Sequence, residues 1–144
     1  MKRIAIMVWT FTVCATAQSY RMPVYLDGDA CDDAVGKAYV YYLRDELSRS
    51  AVFQFINADS GIGLRCVSIP DEPYYTADNN ASAAISIVIT FKATEGQLFP
   101  LYINQVVAAV GFNKAQSMAQ KTVHDLYSTL KADHDMLQMY MNRR

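Results

Sequence analysis

The chain has 144 residues, and its 13 basic and 14 acidic side chains give a formal net charge of −1. This length suits a single domain that can bury one core without relying on disulfides or metals. The basic residues form no stripe of the kind that neutralises nucleic-acid phosphates, which argues against DNA or RNA as a partner.

The first part of the chain has the pattern of a secretory signal peptide. Lys2 and Arg3 precede an apolar run over residues 4–13, and an A-x-A cleavage site follows at residues 15–17. The run is about ten residues long, whereas a membrane-spanning helix needs about 20. We therefore predict a signal peptide over residues 1–17 rather than a membrane span, and a periplasmic or secreted protein.

The predicted mature chain, residues 18–144, has a net charge of about −3 once Lys2 and Arg3 are removed. Cys14 leaves one alternative open, because bacterial lipoproteins carry a lipidated cysteine just after the apolar run. Val13 stands where the lipoprotein pattern needs a small residue. Release of the mature chain without a lipid anchor is therefore favoured.

Two cysteines remain in the mature chain, Cys31 and Cys66. An even number of cysteines in an oxidising compartment favours a disulfide, and closing a loop of about 36 residues contributes roughly 3–4 kcal/mol in chain-entropy terms. Two buried free thiols are the alternative. The disulfide requires Cys66 to face the helices together with Leu64 and Ser68, which leaves Val67 and Ile69 on the other face although they are better suited to burial than Ser68. It therefore requires a cover over that second face or a bulge in the strand.

The predicted first helix opens at Asp27-Gly28-Asp29 and ends near residues 48–50. Acidic side chains gather in its cap and first turn, where the helix dipole favours negative charge. These side chains are Asp27, Asp29, Asp32 and Asp33. Apolar residues recur at near-helical spacing and form the face directed at the core. They are Cys31, Val35, Tyr39, Tyr42 and Leu47.

Four strands are predicted next, over residues 51–58, 64–69, 83–92 and 98–108. The third strand alternates with a period of two, which is typical of a half-exposed strand. Its inward set is Ile85, Ile87, Ile89 and Phe91. The inward set of the fourth strand is predicted as Phe99, Leu101 and Ile103. Pro100 cannot donate to a ladder, so this strand lies at an edge or starts irregularly.

Gly111-Phe112-Asn113 ends the fourth strand and caps a last helix, whose apolar stripe extends over about 28 residues. Its C-terminal quarter, residues 136–141, is expected to project beyond the sheet. The element order is therefore α-β-β-β-β-α. Consecutive strands favour antiparallel pairing, and amphipathic helices at both ends can cover one face. The prediction is an α+β two-layer sandwich with a mainly antiparallel four-stranded sheet and two helices on one face.

The junction between the first helix and the first strand resembles a known family. Asp45-Glu46-Leu47-Ser48-Arg49-Ser50-Ala51-Val52-Phe53 is similar to a stretch in the amino-terminal domain of the periplasmic Tol-system propeller protein and in small envelope accessory proteins of that plan. The last helix has a similar polar face, with Gln120, His124 and Asp125. The resemblance covers most of the mature chain, although the sequence holds no propeller. It implies a non-enzymatic domain that holds partners in the cell envelope, and no functional residue is carried over.

Catalytic and metal-binding patterns are not found in the sequence. The acids over residues 27–33 do not form an EF-hand loop, because Asp32 and Ala38 stand where Gly and Glu are needed. His124 and His134 lie ten residues apart on one predicted helix and face different sides, so they cannot form an i,i+4 zinc pair. No nucleophile elbow, phosphate-binding loop or dinucleotide fingerprint occurs. We therefore expect no catalytic residue, metal or cofactor, and a protein that is not an enzyme.

Exposed tyrosines and methionines define the predicted contact surface. Tyr74 and Tyr75 are adjacent in a polar loop, so both cannot enter the core, and exposed aromatic residues favour binding surfaces. Flexible Met side chains at the end of the last helix adapt to a partner. The predicted partner-binding residues are Tyr74, Tyr75, Met136, Met139, Tyr140 and Met141. Self-association through the same surface is one alternative, and a small ligand held between helices and sheet is the other.

Removal of residues 1–17 is tested by the intact mass of the exported protein. We expect a mass that begins at Gln18, with or without cyclisation to pyroglutamate, because the A-x-A site directs cleavage after Ala17. A mass that begins at a lipid-bearing Cys14 would contradict the prediction and make the protein membrane-anchored.

Overall fold

The computed structural model describes residues 21–58, 60–71, 81–93 and 99–132. Its elements in chain order are β1 (Met22–Ala30), α1 (Ala34–Arg49), β2 (Phe53–Phe55), β3 (Gly61–Pro70), β4 (Ser82–Lys92), β5 (Leu101–Gly111), a 3₁₀ turn (Phe112–Lys114) and α2 (Ala115–Ala132). The order is β-α-β-β-β-β-α. The described chain therefore has a strand before the first helix that the sequence analysis did not predict.

The additional strand β1 contains the residues that were expected to open the first helix. Asp27-Gly28-Asp29 lies near its end, and α1 begins only at Ala34. The start of α1 is set by Asp33, whose carboxylate accepts backbone hydrogen bonds at 2.9 Å from Val35 and from Gly36. These bonds satisfy N–H groups that have no partner within the helix. The prediction of four capping acids was wrong: one acid caps the helix.

The sheet has five strands in the order β2-β1-β3-β4-β5 and is mixed rather than mainly antiparallel. β1 pairs in parallel with both β2 and β3, whereas β3–β4 and β4–β5 are antiparallel. Parallel neighbours need a crossover connection, and α1 supplies it between β1 and β2. The predicted four-stranded antiparallel sheet is corrected to this arrangement, while the α+β class is confirmed.

Both helices contribute to one hydrophobic core. α1 and α2 pack against each other, α1 also contacts β1 to β4, and the sheet contact of α2 is with β5. Large side chains from every layer are fully buried there, among them Val24, Tyr39, Leu43, Leu64, Ile87, Leu126 and Leu130. The Tyr39 hydroxyl crosses between the helices and donates to Thr122 at 2.7 Å, because the Thr122 hydroxyl itself donates to the Met118 carbonyl at 2.9 Å.

The alternation predicted for the third strand is confirmed in β4, but the inward set predicted for the fourth strand is partly wrong. Ile85, Ile87, Ile89 and Phe91 are buried. On β5, Leu101 is 38% exposed, and Phe99, just before the strand, is 81% exposed. Ile103, Val106 and Ala108 are partly buried against the core, so Ile103 faces inward as predicted, and burial is complete at the end of β5 next to α2, where Val110 is 1% exposed. The beginning of the strand lacks such a cover among the described residues.

The last helix begins where the sequence indicated. β5 ends at Gly111, and α2 follows the 3₁₀ turn from Ala115 onward. The helix is described to Ala132. The predicted extension over residues 136–141 and the predicted signal peptide lie outside the described residues.

Tyr39→Phe tests the hydrogen bond that joins the two helices. We expect a loss of about 1 kcal/mol in the free energy of unfolding at pH 7, because one buried hydrogen bond is removed while Thr122 keeps its bond to Met118. Urea denaturation measures this change, and Tyr41→Phe, at a position 68% exposed, is the control with no expected effect.

Tyr39→Phe also tests how the free energy of unfolding depends on pH. Burial raises the pKa of Tyr39 above its ordinary value of 10, and the hydrogen bond to Thr122 partly opposes this. A raised folded-state pKa means that the contribution of Tyr39 is complete below pH 10 and is lost as the pH rises beyond it. The stability gap between wild type and Tyr39→Phe should therefore narrow above pH 10. If the difference in the free energy of unfolding between wild type and Tyr39→Phe stays unchanged up to pH 11, Tyr39 does not have the raised pKa.

Candidate functional site

The predicted partner-binding residues cannot be located in the structure. Tyr74, Tyr75, Met136, Met139, Tyr140 and Met141 all lie outside the described residues. Their role stays a prediction. The described residues present a different candidate site, on the face of the sheet away from the helices. Its position is set by the contact between the beginning of α1 and β3, which we call the corner.

The predicted disulfide between Cys31 and Cys66 is confirmed and defines this corner. It joins the residue after β1 to the middle of β3, with the two Cα atoms 5.8 Å apart. Both cysteines are buried. Cys66 therefore faces the helices, and Ser68, two residues later, faces the same way.

The inward position of Ser68 is explained by its partner. Its hydroxyl donates to the carboxylate of Asp33, the N-cap of α1, which is 2% exposed. Gly36 leaves room for this contact, since a Cβ built at residue 36 would lie 2.5 Å from the Ser68 hydroxyl oxygen. A side chain other than glycine would push α1 away from β3. A buried carboxylate is thus satisfied by two backbone N–H groups and one hydroxyl.

The consequence of this register is that alternate residues of β3 point away from the helices. Arg65 and Ile69 are exposed, with Ile69 at 66%. Ile69 was one of the residues that the sequence analysis judged better suited to burial. Its exposure is the first sign of an apolar surface on the far side of the sheet, which we call the open face.

The open face extends across three antiparallel strands. In the registered pairs, Val67 lies opposite Ser86, and Ser86 lies opposite Val107; likewise Ile69 is next to Ala84. Large side chains on this face are exposed to solvent: Ile69 (66%), Val107 (67%) and Tyr102 (64%). Val67 and Val88 are half-buried between them. None of the described elements packs over β3, β4 and β5 on this side.

The border of the open face toward β1 is made by a tyrosine lying over a glycine. A Cβ built at Gly63 would lie 2.5 Å from the Tyr25 hydroxyl oxygen and 2.6 Å from the Thr90 hydroxyl oxygen. Gly63 therefore lets Tyr25 lie across β3 toward β4. Next to it, Arg65 pairs with Asp27 at 3.4 Å. Beyond this border the face turns from apolar to charged.

β5 forms one edge of the sheet and part of the open face. Its sequence from Leu101 to Gly111 contains no charged residue. The pairing with β4 shifts between Asn104 and Tyr102, so one extra residue, Ile103, forms a bulge near the beginning of the strand. Exposed apolar side chains concentrate here, with Phe99, Leu101, Tyr102 and Val107 all within or beside β5.

A surface depression of about 420 Å³ lies between α1 and the end of β1. Its lining consists of Gly28, Asp29, Cys31, Asp32, Lys37, Val40, Tyr41 and Arg44. Half of these residues are charged, and the guanidinium of Arg44 already lies over the Phe55 ring at 5.6 Å. The ligand-binding alternative called for an apolar cavity enclosed between helices and sheet, whereas this depression is open at the surface and is lined by the end of β1 and one side of α1.

The acids that suggested a metal loop serve separate purposes. Asp33 caps α1 and Asp27 pairs with Arg65. Among the described residues, no three His, Cys, Asp or Glu side chains converge to hold a metal ion. His124 is exposed on α2, and His134 lies beyond the described part of the helix. Within the described ranges, neither helix is long and apolar enough to cross a membrane.

Tyr102 and Val107 were not predicted as surface residues, and Ile69, which the disulfide prediction placed on the far face under a cover or beside a bulge, is exposed there. Apolar strand residues are assigned to a core by default, and nothing in the local sequence states which face of a strand is covered. A usable signal was present in β5, where apolar residues occupy both faces of an uncharged stretch beside Pro100. Such a stretch is typical either of a central strand or of an edge that binds another surface.

No protein-family model matches the chain, and no curated protein sequence matches it. Among solved structures, the chain is similar to a minor lipoprotein from Acinetobacter baumannii, with 15% identity over 86% of this chain and 90% of that chain. The TM-score is 0.24, and a likeness at this level carries no argument. The resemblance to the amino-terminal domain of the Tol-system propeller protein stays a prediction.

Asp33→Ala tests the corner that fixes β3. We expect a loss of about 2 kcal/mol or more, because two helix N–H groups and the Ser68 hydroxyl lose their acceptor at a buried site. Asp32→Ala changes the neighbouring exposed acid and should alter the free energy of unfolding by less than about 0.5 kcal/mol. Equal effects of the two substitutions, measured by denaturant unfolding, would refute the role of Asp33.

Proposed function

We propose that this protein is an exported, non-enzymatic domain that acts by binding another protein through the open face of its sheet. The observation that carries the proposal is the exposure of Ile69, Tyr102 and Val107 on one face of β3 and β5. Several large apolar side chains exposed on one face cost free energy in water and are a recognised mark of an interaction site.

Isolated apolar side chains on a surface need no explanation, so their arrangement matters. Val67 and Val107 lie on either side of Ser86 in one registered row across β3, β4 and β5, and the Gln105 amide donates to the Ser86 hydroxyl at 2.8 Å, so apolar and polar groups alternate on this face. Ile69 and Tyr102 lie on the same face at the two ends of this region. A sheet face offers such rows on a rigid backbone, so a partner binds it at little cost in ordering entropy.

Export is supported by two independent features. The pattern over residues 1–17 is that of a signal peptide. The buried disulfide between Cys31 and Cys66 supports an oxidising compartment, because disulfides form and persist there. The choice between periplasm and secretion is part of the proposal, and a role in a cell envelope agrees with the family resemblance predicted from residues 45–53.

The proposal includes a second region beside the open face, the predicted partner-binding tyrosines and methionines that lie outside the described residues. Tyr74 and Tyr75 precede β4 in the chain, and residues 136–141 follow α2. Exposed tyrosines and methionines adapt to partner surfaces, which is the reason they were predicted. The loop tyrosines are tested by a variant of their own, because their contribution to partner binding does not depend on that of the open face.

Ile69→Lys tests the open face. A charge introduced within the contact surface must be desolvated when the partner binds, so we expect partner affinity to fall at least about tenfold. Tyr41→Lys is the matched control, because Tyr41 is 68% exposed but lies on α1 at the other side of the molecule. Both positions are exposed, so both variants should keep the wild-type melting temperature.

The measurement is quantitative capture from the compartment to which the protein is exported. Partners retained by wild type and by Tyr41→Lys, but lost from Ile69→Lys, support the open face. A third arm, Tyr74→Ala with Tyr75→Ala, reports on the loop tyrosines. If Ile69→Lys retains the same partners as wild type, or if wild type retains none, the proposed contact surface is wrong.

A further inference from the structure

The outer edge of β5 carries backbone groups that no described strand pairs. β5 is bonded to β4 on one side and is last in the order of the five strands. The other edge strand, β2, has three residues, whereas β5 has eleven. An edge of this length presents a row of N–H and C=O groups that matches the edge of another strand.

Proteins usually protect such an edge with charged side chains, proline, a bulge or a short strand. β5 has no charge along its length, and Pro100 stands before the strand rather than in it. Its one bulge lies near the beginning, at Ile103. Residues 104–110 therefore form a regular, uncharged edge that contains no proline and no bulge and that no other described strand pairs.

We propose that β5 pairs in antiparallel fashion with β5 of a second copy of this chain, so that the two sheets become one continuous ten-stranded sheet. This self-association uses the backbone edge of β5, whereas the proposed partner contact uses side chains of the open face; Val107 belongs to both surfaces, and Ile69 belongs to the open face alone. Both surfaces can be occupied together, since edge pairing leaves the open faces of the two copies side by side.

The chemistry of the edge selects an extended backbone as its occupant. A helix or a folded surface does not offer donors and acceptors at the spacing of a ladder, whereas a strand does. Because β5 carries no charge, two copies of it place no like charges opposite each other in any register. β5 of a second copy is therefore itself a suitable partner for this edge.

Symmetry then specifies the register. In an antiparallel pair related by a two-fold axis perpendicular to the sheet, one residue lies opposite itself. Val107 is the middle of the regular stretch 104–110. Pairing about Val107 places Gln105 opposite Ala109 and Val106 opposite Ala108, so a larger side chain meets a smaller one on each face.

The size of the contact indicates a reversible dimer. Pairing about Val107 joins residues 103–111 of the two copies, nine residues or about 31 Å, and buries on the order of 300 Å² per copy. A standard stable interface buries about 800 Å² per partner. α2 can supply further area, because its sheet contact is with β5 and the axis leaves both copies of α2 on the same side of the joined sheet.

The test is sedimentation equilibrium of the purified exported protein over a range of concentrations. Wild type should pass from monomer to dimer as concentration rises. Val107→Lys and Val107→Glu should each weaken the dimer at least tenfold, because like charges then meet at the axis. Mixing the two variants should restore a dimer, since opposite charges now lie together. Val107 is 67% exposed, so both variants are expected to fold, and thermal melting checks this.

Ile69→Lys is the matched control, because Ile69 is 66% exposed on the same face but two strands from the edge. It should leave the dimer unchanged even where it abolishes partner capture, so the two proposals fail separately. A wild type that stays monomeric at every concentration overturns the inference. So does a dimer that Ile69→Lys breaks and Val107→Lys does not, which would indicate stacking of open faces instead.

Discussion

The position of β3 against α1 is the constraint on which the rest of this structure depends. Cys31 is bonded to Cys66, and Asp33 accepts from Ser68, so two adjacent inward positions of β3 are tied to the beginning of α1. Side chains of a strand alternate with a period of two, and a shift of one residue would reverse every face. Two ties of different chemistry to the same face of one strand exclude that shift.

Once β3 is fixed, the two faces of the whole sheet follow. Leu64 enters the core with Cys66, and β4 pairs with β3 so that Ile87 and Ile89 enter beside them. The alternate residues must then point away from the helices whether or not they are apolar. The exposure of Ile69 is therefore a result of the disulfide corner, and Val67 follows the same direction.

The open face and the edge of β5 are both places where apolar or unpaired groups of the described chain meet water. Stability alone does not explain them, because polar substitutions at Ile69 or Val107 remove no core contact. Polar groups are otherwise well satisfied: every buried side-chain N and O atom of the described residues has a hydrogen-bond partner. The proposed protein contact rests on this difference between a satisfied interior and exposed large apolar side chains on one face.

Much of the core was accessible from the sequence. The alternation over residues 83–92 determined β4 and its inward face, because period-two patterning is read without knowledge of neighbours. The spacing of Val35, Tyr39 and Leu47 determined the buried side of α1 in the same way. The cysteine count and the signal pattern predicted the disulfide.

The beginning of the chain misled the prediction for a physical reason. β1 contains Pro23 and ends in Asp27-Gly28-Asp29, residues with low strand propensity, and Asp-rich stretches favour helix caps. Its strand conformation is imposed by two parallel neighbours, β2 and β3, which follow it in the chain. Pairing between distant segments is not encoded in a local pattern.

The sequence by itself determined the α+β class, the inward face of β4 and the two cysteines that join. Only the tertiary structure decided the fifth strand, the mixed sheet, the exposure of Ile69 and the edge position of β5. The difference lies in range. Periodicity and capping act within a few residues, whereas the face of a strand that is covered depends on which helices pack against the sheet and where they end. Leu101 and Val110 belong to one uncharged strand, and α2 covers the end that holds Val110.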